Sequence, residues 1–175
     1  FLLDSLARFS AERPQTRVQL FETVLGGTDE ALFERAVDLA ITTAIPPGFS
    51  GDPLIRIRFV AAAHPDHPLH QLGRPLSLDD LAEHRHLVIR DNATRRPRKS
   101  GGWLGAEQRW TFSHKATQIA AACRGMGFAW FPQQAIRAEL KAGTLKPLSM
   151  REGGERFGQM YLVFSDPEFP TASSV

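Results

Sequence analysis

The sequence is short of the residues that would fix its chemistry at once. Cys123 is the only cysteine in 175 residues, so no internal disulfide can form, and a reducing compartment is the expected setting. No run of about 18 apolar residues occurs, so no helix is expected to span a membrane. Neither sign of charge is in clear excess: 21 Lys and Arg against 19 Asp and Glu give a formal net charge of +2, too little to argue for a nucleic-acid surface. Internal repeats, low-complexity tracts and an HExxH zinc motif are all lacking. What is present, 42% hydrophobic and 23% charged residues, is the composition of an ordinary globular chain with room for one domain or two small lobes. It opens at FLLDSLARF, already inside an amphipathic helix and without an initiator Met or signal peptide, so a longer parent protein is expected.

The apolar spacing then alternates between two periods. Leu2, Leu6 and Phe9 share one face of a helix over residues 1–13, which Pro14 stops. RVQLFE (17–22) alternates like a strand, and GGTDEALFERA supplies a tight exit followed by helix-starting Thr28 and Asp29. VDLAI (37–41) reads as a strand covered on both faces, and LIRIRFVAAA (54–63) as a strand with one wet face. Ser77 with Asp80 is a near capping box, opening a helix that leads to the strand HLVI (86–89). RWTFS, the helix KATQIAAACRG ended by Gly125, the strand FAWF, a helix from Pro132 to Gly143, and the strands TLKPL and QMYLVFS complete the order. Strands alternating with helices predict an α/β fold with a mainly parallel sheet between two helical layers.

Each motif with chemical potential has a plainer reading. His64, His67, His70 and Asp66 could furnish a zinc site, but Pro65 and Pro68 forbid the helix that would align them, and no metal is expected. GFSGD (48–52) narrowly misses a nucleophile elbow, with Asp52 at the second glycine. Ser113 adjoins His114, although neighbours in sequence seldom face one another. Cys123 lies on an apolar helix side and reads as core. Gly125 and Gly127 follow a helix and precede a strand, the reverse of a dinucleotide fingerprint, so no cofactor is implied. Arg90, Arg95, Arg96, Arg98 and Lys99 are five basic residues in ten, with Trp103 and Trp110 near. A solvated loop accounts for most of them, but Arg90 leaves a buried strand at the edge where open α/β sheets bind ligands.

In order along the chain, LLDSLARFSAERPQTRVQLFE, EALFERAVDLAIT, HPDHPL, LSLDDLAEHRHLVI, GMGFAWFP and ELKAGTLKPL resemble the effector-binding domain of LysR-type transcriptional regulators, over nearly the whole length. The resemblance implies two Rossmann-like subdomains of the type II periplasmic-binding-protein kind, joined by two crossing strands. One would comprise residues 1–57 with 163–175, truncated at both ends, and the other 58–162. A first strand, a closing helix and an N-terminal helix-turn-helix with its linker are expected outside this stretch. HPL becomes a structural turn after a crossing strand.

The same resemblance implies a regulatory domain and not an enzyme, binding a small and anionic effector in a cleft lined by strand exits. Thr23, Val24, Thr42, Thr43, Ala62, Arg90, Asp91, Ser113, His114 and Phe131 are the candidate lining residues. It implies a cytoplasmic homodimer, or a tetramer in the longer protein, in which Leu2, Leu6 and Phe9 meet Ala120 and Ala121 of a second copy. DNA would be bound only through the helix-turn-helix, and neither membrane nor cofactor is involved. A solute-binding protein of the same fold and a small α/β hydrolase or transferase are the alternatives.

Overall fold

The computed structural model describes residues 2–95, 106 and 108–166. Two long strands form its spine. β2 (Gly51–Ala63) and β7 (Glu155–Phe164) run antiparallel from the pair Gly51↔Val163 to Val60↔Glu155, with a register irregularity between Pro53 and Ile55. At one end β1 (Leu39–Thr42) pairs with β7. At the other, β5 (Ala129–Pro132) lies on the far edge of β2, and β6 (Lys146–Pro147) pairs with Ala62 and Ala63 beyond the end of β7. β3 (His86–Ile89) and β4 (Arg109–Phe112) form a parallel pair, tied to the β5 end by a bridge between His86 and Phe128.

Alternation along β2 divides the core. Val60 and Ala62 face a cluster containing Leu87, Phe131, Ile136 and Leu145, while Ala61 and Ala63 face Leu69, Leu76, Leu81 and Phe128. This half is therefore covered on both sides of its sheet, as the sequence led us to expect. The β1 end has a smaller core of Leu32, Ala40 and Val163.

Local signals in the sequence specify several element ends. In α3 (Leu78–Ala82) the capping box is complete: Ser77 Oγ accepts from the Asp80 amide and the Asp80 carboxylate accepts from the Ser77 amide at 2.7 Å. Arg74 forks onto the same carboxylate with two 2.7 Å contacts, and this pair holds Asp80 well below the ordinary carboxylate range. α4 (Lys115–Ala122) ends before Gly125 at φ 72, and α5 (Arg137–Ala142) ends on Gly143 at φ 74, both left-handed positions suited to glycine. Pro132 leads into a 3-10 turn, Gln133–Ile136, before α5 begins.

Three expectations are corrected. The pairing is mainly antiparallel, because β2 and β7 are long and supply most of the ladder; among the described residues parallel pairing is confined to β3–β4 and isolated bridges. Residues 17–22 form no strand, and Val18, Leu20 and Phe21 are exposed. Alternation specifies two faces but supplies no partner for the backbone N–H and C=O groups. β1 is not covered on both faces either: Ala40 and Thr42 are buried on one face, while on the other Leu39 is 48% exposed and Ile41 only half-buried.

The histidine stretch lies at the end of β2. His67 is buried, its Nδ1 accepts from the Leu69 amide at 3.3 Å, and it caps the 3-10 turn Pro68–Gln71 while its ring meets His84 edge-on at 5.3 Å. Among the described residues, no three His, Cys, Asp or Glu side chains are placed to hold a metal ion.

Candidate functional site

Parallel pairing of β3 with β4 puts their exits side by side. Ile89 is in register with Phe112, and the Arg90 amide donates to the Phe112 carbonyl at 2.8 Å. Arg90 and Ser113 therefore leave the same sheet edge together, and His114 and Lys115 open α4 immediately after. Arg90, Ser113, His114 and Lys115 are all exposed. Neither Arg90 nor Lys115 has an ion-pair partner among the described residues.

Lys115 was not among the residues expected from sequence. It keeps contact with solvent, yet enough protein surrounds it that desolvation lowers its ammonium pKa, with Glu22 pulling the opposite way. A cation is unfavourable at the positive end of a helix, so a lysine at the first position of α4 is a local oddity, and that was the available signal.

Residues 22–28, before and within α2 (Gly26–Phe33), approach the segment that follows β3. The Val24 amide donates to Asn92 Oδ1 at 2.8 Å, and Thr23 shares a 2.7 Å hydroxyl contact with Thr28. Thr23 and Val24 are thus brought against the segment that follows Arg90. Asp91 is 4% exposed, its carboxylate accepting from the Ala93 amide at 2.8 Å, so it braces this segment and does not face open solvent.

Other candidates are placed elsewhere. Ala62 and Phe131 are fully buried in the core shared with α4, which leaves them no surface for a ligand. Thr42 is buried, its hydroxyl donating to the Ala44 carbonyl at 3.2 Å, while Thr43 is exposed. Ala121 belongs to the same core, so of the two alanines proposed for an interface only half-buried Ala120 has surface to offer. In α1 (Leu2–Glu12) no residue is buried: Leu2 and Leu6 are half-buried and Phe9 is 40% exposed.

The alternatives can be weighed against the same geometry. Ser113 and His114 share no hydrogen bond, and among the described residues none joins Ser50 to a histidine, so neither serine is paired with a base. Arg85 stacks on the half-exposed Trp110, its guanidinium carbon 4.3 Å from the ring centroid, and Arg96, Arg98, Lys99 and Trp103 lie outside the described residues. A cavity of about 470 Å³ opens away from the strand exits, between β2 and residues 147–155, lined by Arg58, Gln133, Met150 and Glu155 among others. Within it Arg58 is held by the Glu155 carboxylate and by Gln133.

The model of the LysR substrate binding domain matches residues 1–172. The probable HTH-type transcriptional regulator YhaJ of Escherichia coli (strain K12) is 27% identical over 158 residues, which cover 88% of this chain and 52% of that protein. The chain thus spans about half the length of the curated relatives it matches. Among solved structures, the regulatory domain of CrgA, a LysR-type transcriptional regulator from Neisseria meningitidis, superposes with a TM-score of 0.70 at 21% identity, covering 94% of this chain and 81% of that one. The regulatory domain of CcmR from Synechocystis PCC6803, in complex with 2-PG, gives 0.73 at 17% identity, covering 98% and 83%. At these identities the structural likeness concerns the fold.

Proposed function

The chain belongs to the LysR substrate-binding domain family, effector-binding regulatory domains of transcription factors and not enzymes, and on that premise we propose that it senses a small anion between the β3–β4 exits and the residues leading into α2. The observation that carries this reading is the pair of exposed cations, Arg90 and Lys115, at one end of the sheet: among the described residues neither is in an ion pair, and Lys115 feels only the more distant charge of Glu22. A carboxylate or phosphate would give both a charge-assisted partner, with Ser113 as a neutral donor. CcmR, described in complex with 2-PG, is a fold neighbour compatible with such a ligand. The division into residues 1–57 with 163–175 and 58–162 belongs to the same reading, since β1 gathers at one end of the β2–β7 spine and β5 and β6 at the other.

A thermal-shift screen of small carboxylic and phosphorylated acids tests it. Arg90→Ala and Lys115→Met should each weaken a binding acid by about 1.5–3 kcal/mol, the usual worth of a hydrogen bond to a charged group. Arg124→Ala, at the opposite end of α4 with its guanidinium on the Ala120 carbonyl, should change affinity negligibly. Equal losses at all three positions would indicate a diffuse basic surface.

The reading extends to the longer protein as a cytoplasmic homodimer that contacts DNA outside this stretch. The apolar face of α1 (Leu2, Leu6, Phe9) is its interface candidate, with Ala120 opposite. Leu2→Asp should turn a dimer into a folded monomer, read by light scattering and circular dichroism together. Loss of the helical signal would instead assign Leu2 to the chain's own packing.

A further inference from the structure

Glu30 is a buried charge whose partners lie far away in sequence. It belongs to α2, is 8% exposed, and its carboxylate accepts from the Thr94 amide at 2.8 and 2.9 Å, the Thr94 hydroxyl at 3.1 Å and the Arg95 amide at 2.5 Å. A carboxylate buried this deeply needs such donors, and here backbone supplies two of them. The contact is continued on either side. Asn92 and Val24 bond in both directions, amide to carboxamide at 2.8 Å and amide to carbonyl at 3.4 Å, and Arg95 reaches Glu34 at 2.6 Å.

Two backbone features show how close the approach is. A Cβ at Gly27 would overlap the Asn92 carboxamide, and one at Gly26 would stand 3.0 Å from both Asp91 Oδ2 and the Ala93 side chain. Leu25, following the residue that Asn92 holds, sits at φ 52 and ψ −114, a positive-φ conformation costly for any residue with a bulky side chain and maintained only where surroundings enforce it.

We propose that residues 91–95 form a latch: through Asn92 and the Glu30 carboxylate they clamp the start of α2 against the exit of β3, and they must let go before the two walls of the cleft can part. Its bearing on effector entry rests on the proposed ligand site, because Arg90 directly precedes the latch. The clamp itself stands on contacts within the chain and is testable without a ligand. Release should free both partners together, the 92–95 amides and the 24–28 turn, and let Leu25 leave its strained conformation.

Amide hydrogen exchange on the whole chain reads this directly. Glu30→Ala should lower protection of the Thr94 and Arg95 amides by about 10- to 100-fold, the equivalent of one hydrogen bond to a charged group. Protection over residues 24–28 should fall with it, while the centres of β2 and β7 keep theirs, and the radius of gyration in small-angle scattering should rise. Glu30→Gln, which retains one accepting oxygen, should lie between Glu30→Ala and the wild type. Should Glu30→Ala unfold globally, Asn92→Ala provides the second arm, with a smaller but equally coupled release expected. Deprotection of 92–95 with residues 24–28 and the radius unchanged would reduce the clamp to a local loop anchor and overturn the proposal. Freely exchanging Thr94 and Arg95 amides in the wild type would overturn it too.

Discussion

Gly127→Ala should cost about 3 kcal/mol or more, lowering the melting temperature by about 6–12 °C in a domain of this size. The segment around Gly127 is pressed against the start of β3: the Phe128 amide donates to the Arg85 carbonyl at 3.1 Å, and the Leu87 amide donates back to the Phe128 carbonyl at 2.9 Å. A Cβ at Gly127 would enter contact distance of that same Arg85 carbonyl oxygen and stand 3.1 Å from the Leu87 side chain. A backbone oxygen cannot swing aside as a side chain can, so the added methyl must push β3 away and strain both hydrogen bonds. Gly125→Ala is the informative comparison. Gly125 needs only its left-handed φ of 72, with nothing closer than the His64 Cβ at 3.9 Å, and should cost about 1–2 kcal/mol. Urea unfolding of the two variants measures the difference; equal costs would mean that conformation, not close approach, is what both glycines supply.

Acid should destabilise the domain over a definite window. Burial pushes His67 down to about 4, helped by neighbouring His84, His70 and His64, and pushes His86 down to about 4, helped by Arg156 and Arg109. Both imidazoles are therefore neutral when folded, whereas in the unfolded chain they take up protons near the ordinary value of 6.5. Between those values the unfolded state binds more protons, so stability rises with pH. It is complete above about pH 6.5 and declines as pH falls towards about 4. Allowing for relaxation around the charged rings, the pair should account for about 2–4 kcal/mol across this window. His86 offers a clean dissection. Its ring stacks on Phe128 at 5.0 Å, and its Nδ1 is buried without a hydrogen-bond partner among the described residues. His86→Phe should leave stability at neutral pH equal or higher, and should flatten the slope between about pH 6.5 and 4 by roughly half. An unchanged slope would remove His86 from the account.

How much of this could be read from the chain follows from the range of each interaction. The Ser77–Asp80 box, the glycine stops at 125 and 143 and the turn through Pro68 are decided within a few residues, and local chemistry announces them. Strand faces were equally legible, because alternation at Ile55, Arg56, Ile57 and Arg58 reports which side is wet. Strand partners were not: pairing β2 with β7 joins Arg56 to Gln159, and no local pattern carries that information. Residues 17–22 show the converse, a pattern for a strand without the pairing that makes one. At the candidate site the strand exits were predictable, which brought Arg90 and Ser113 into view, but residues flanking an exit need not face the cleft. Ala62 and Phe131 point into the core because alternation on β2 and β5 sends them towards α4. Glu30 was invisible for the same reason as the pairing of β2 with β7, its donors being 64 and 65 residues away.

The central claim, a small anion held at the β3–β4 exits, is tested most directly by amide chemical-shift mapping of the domain titrated with the tightest acid from the thermal screen. We predict saturable shifts concentrated at Arg90, Ser113, His114 and Lys115 and at Thr23 and Val24 across the cleft, absent in Arg90→Ala. Shifts centred instead on residues 147–155 would contradict the account and move the effector to the cavity beside Arg58.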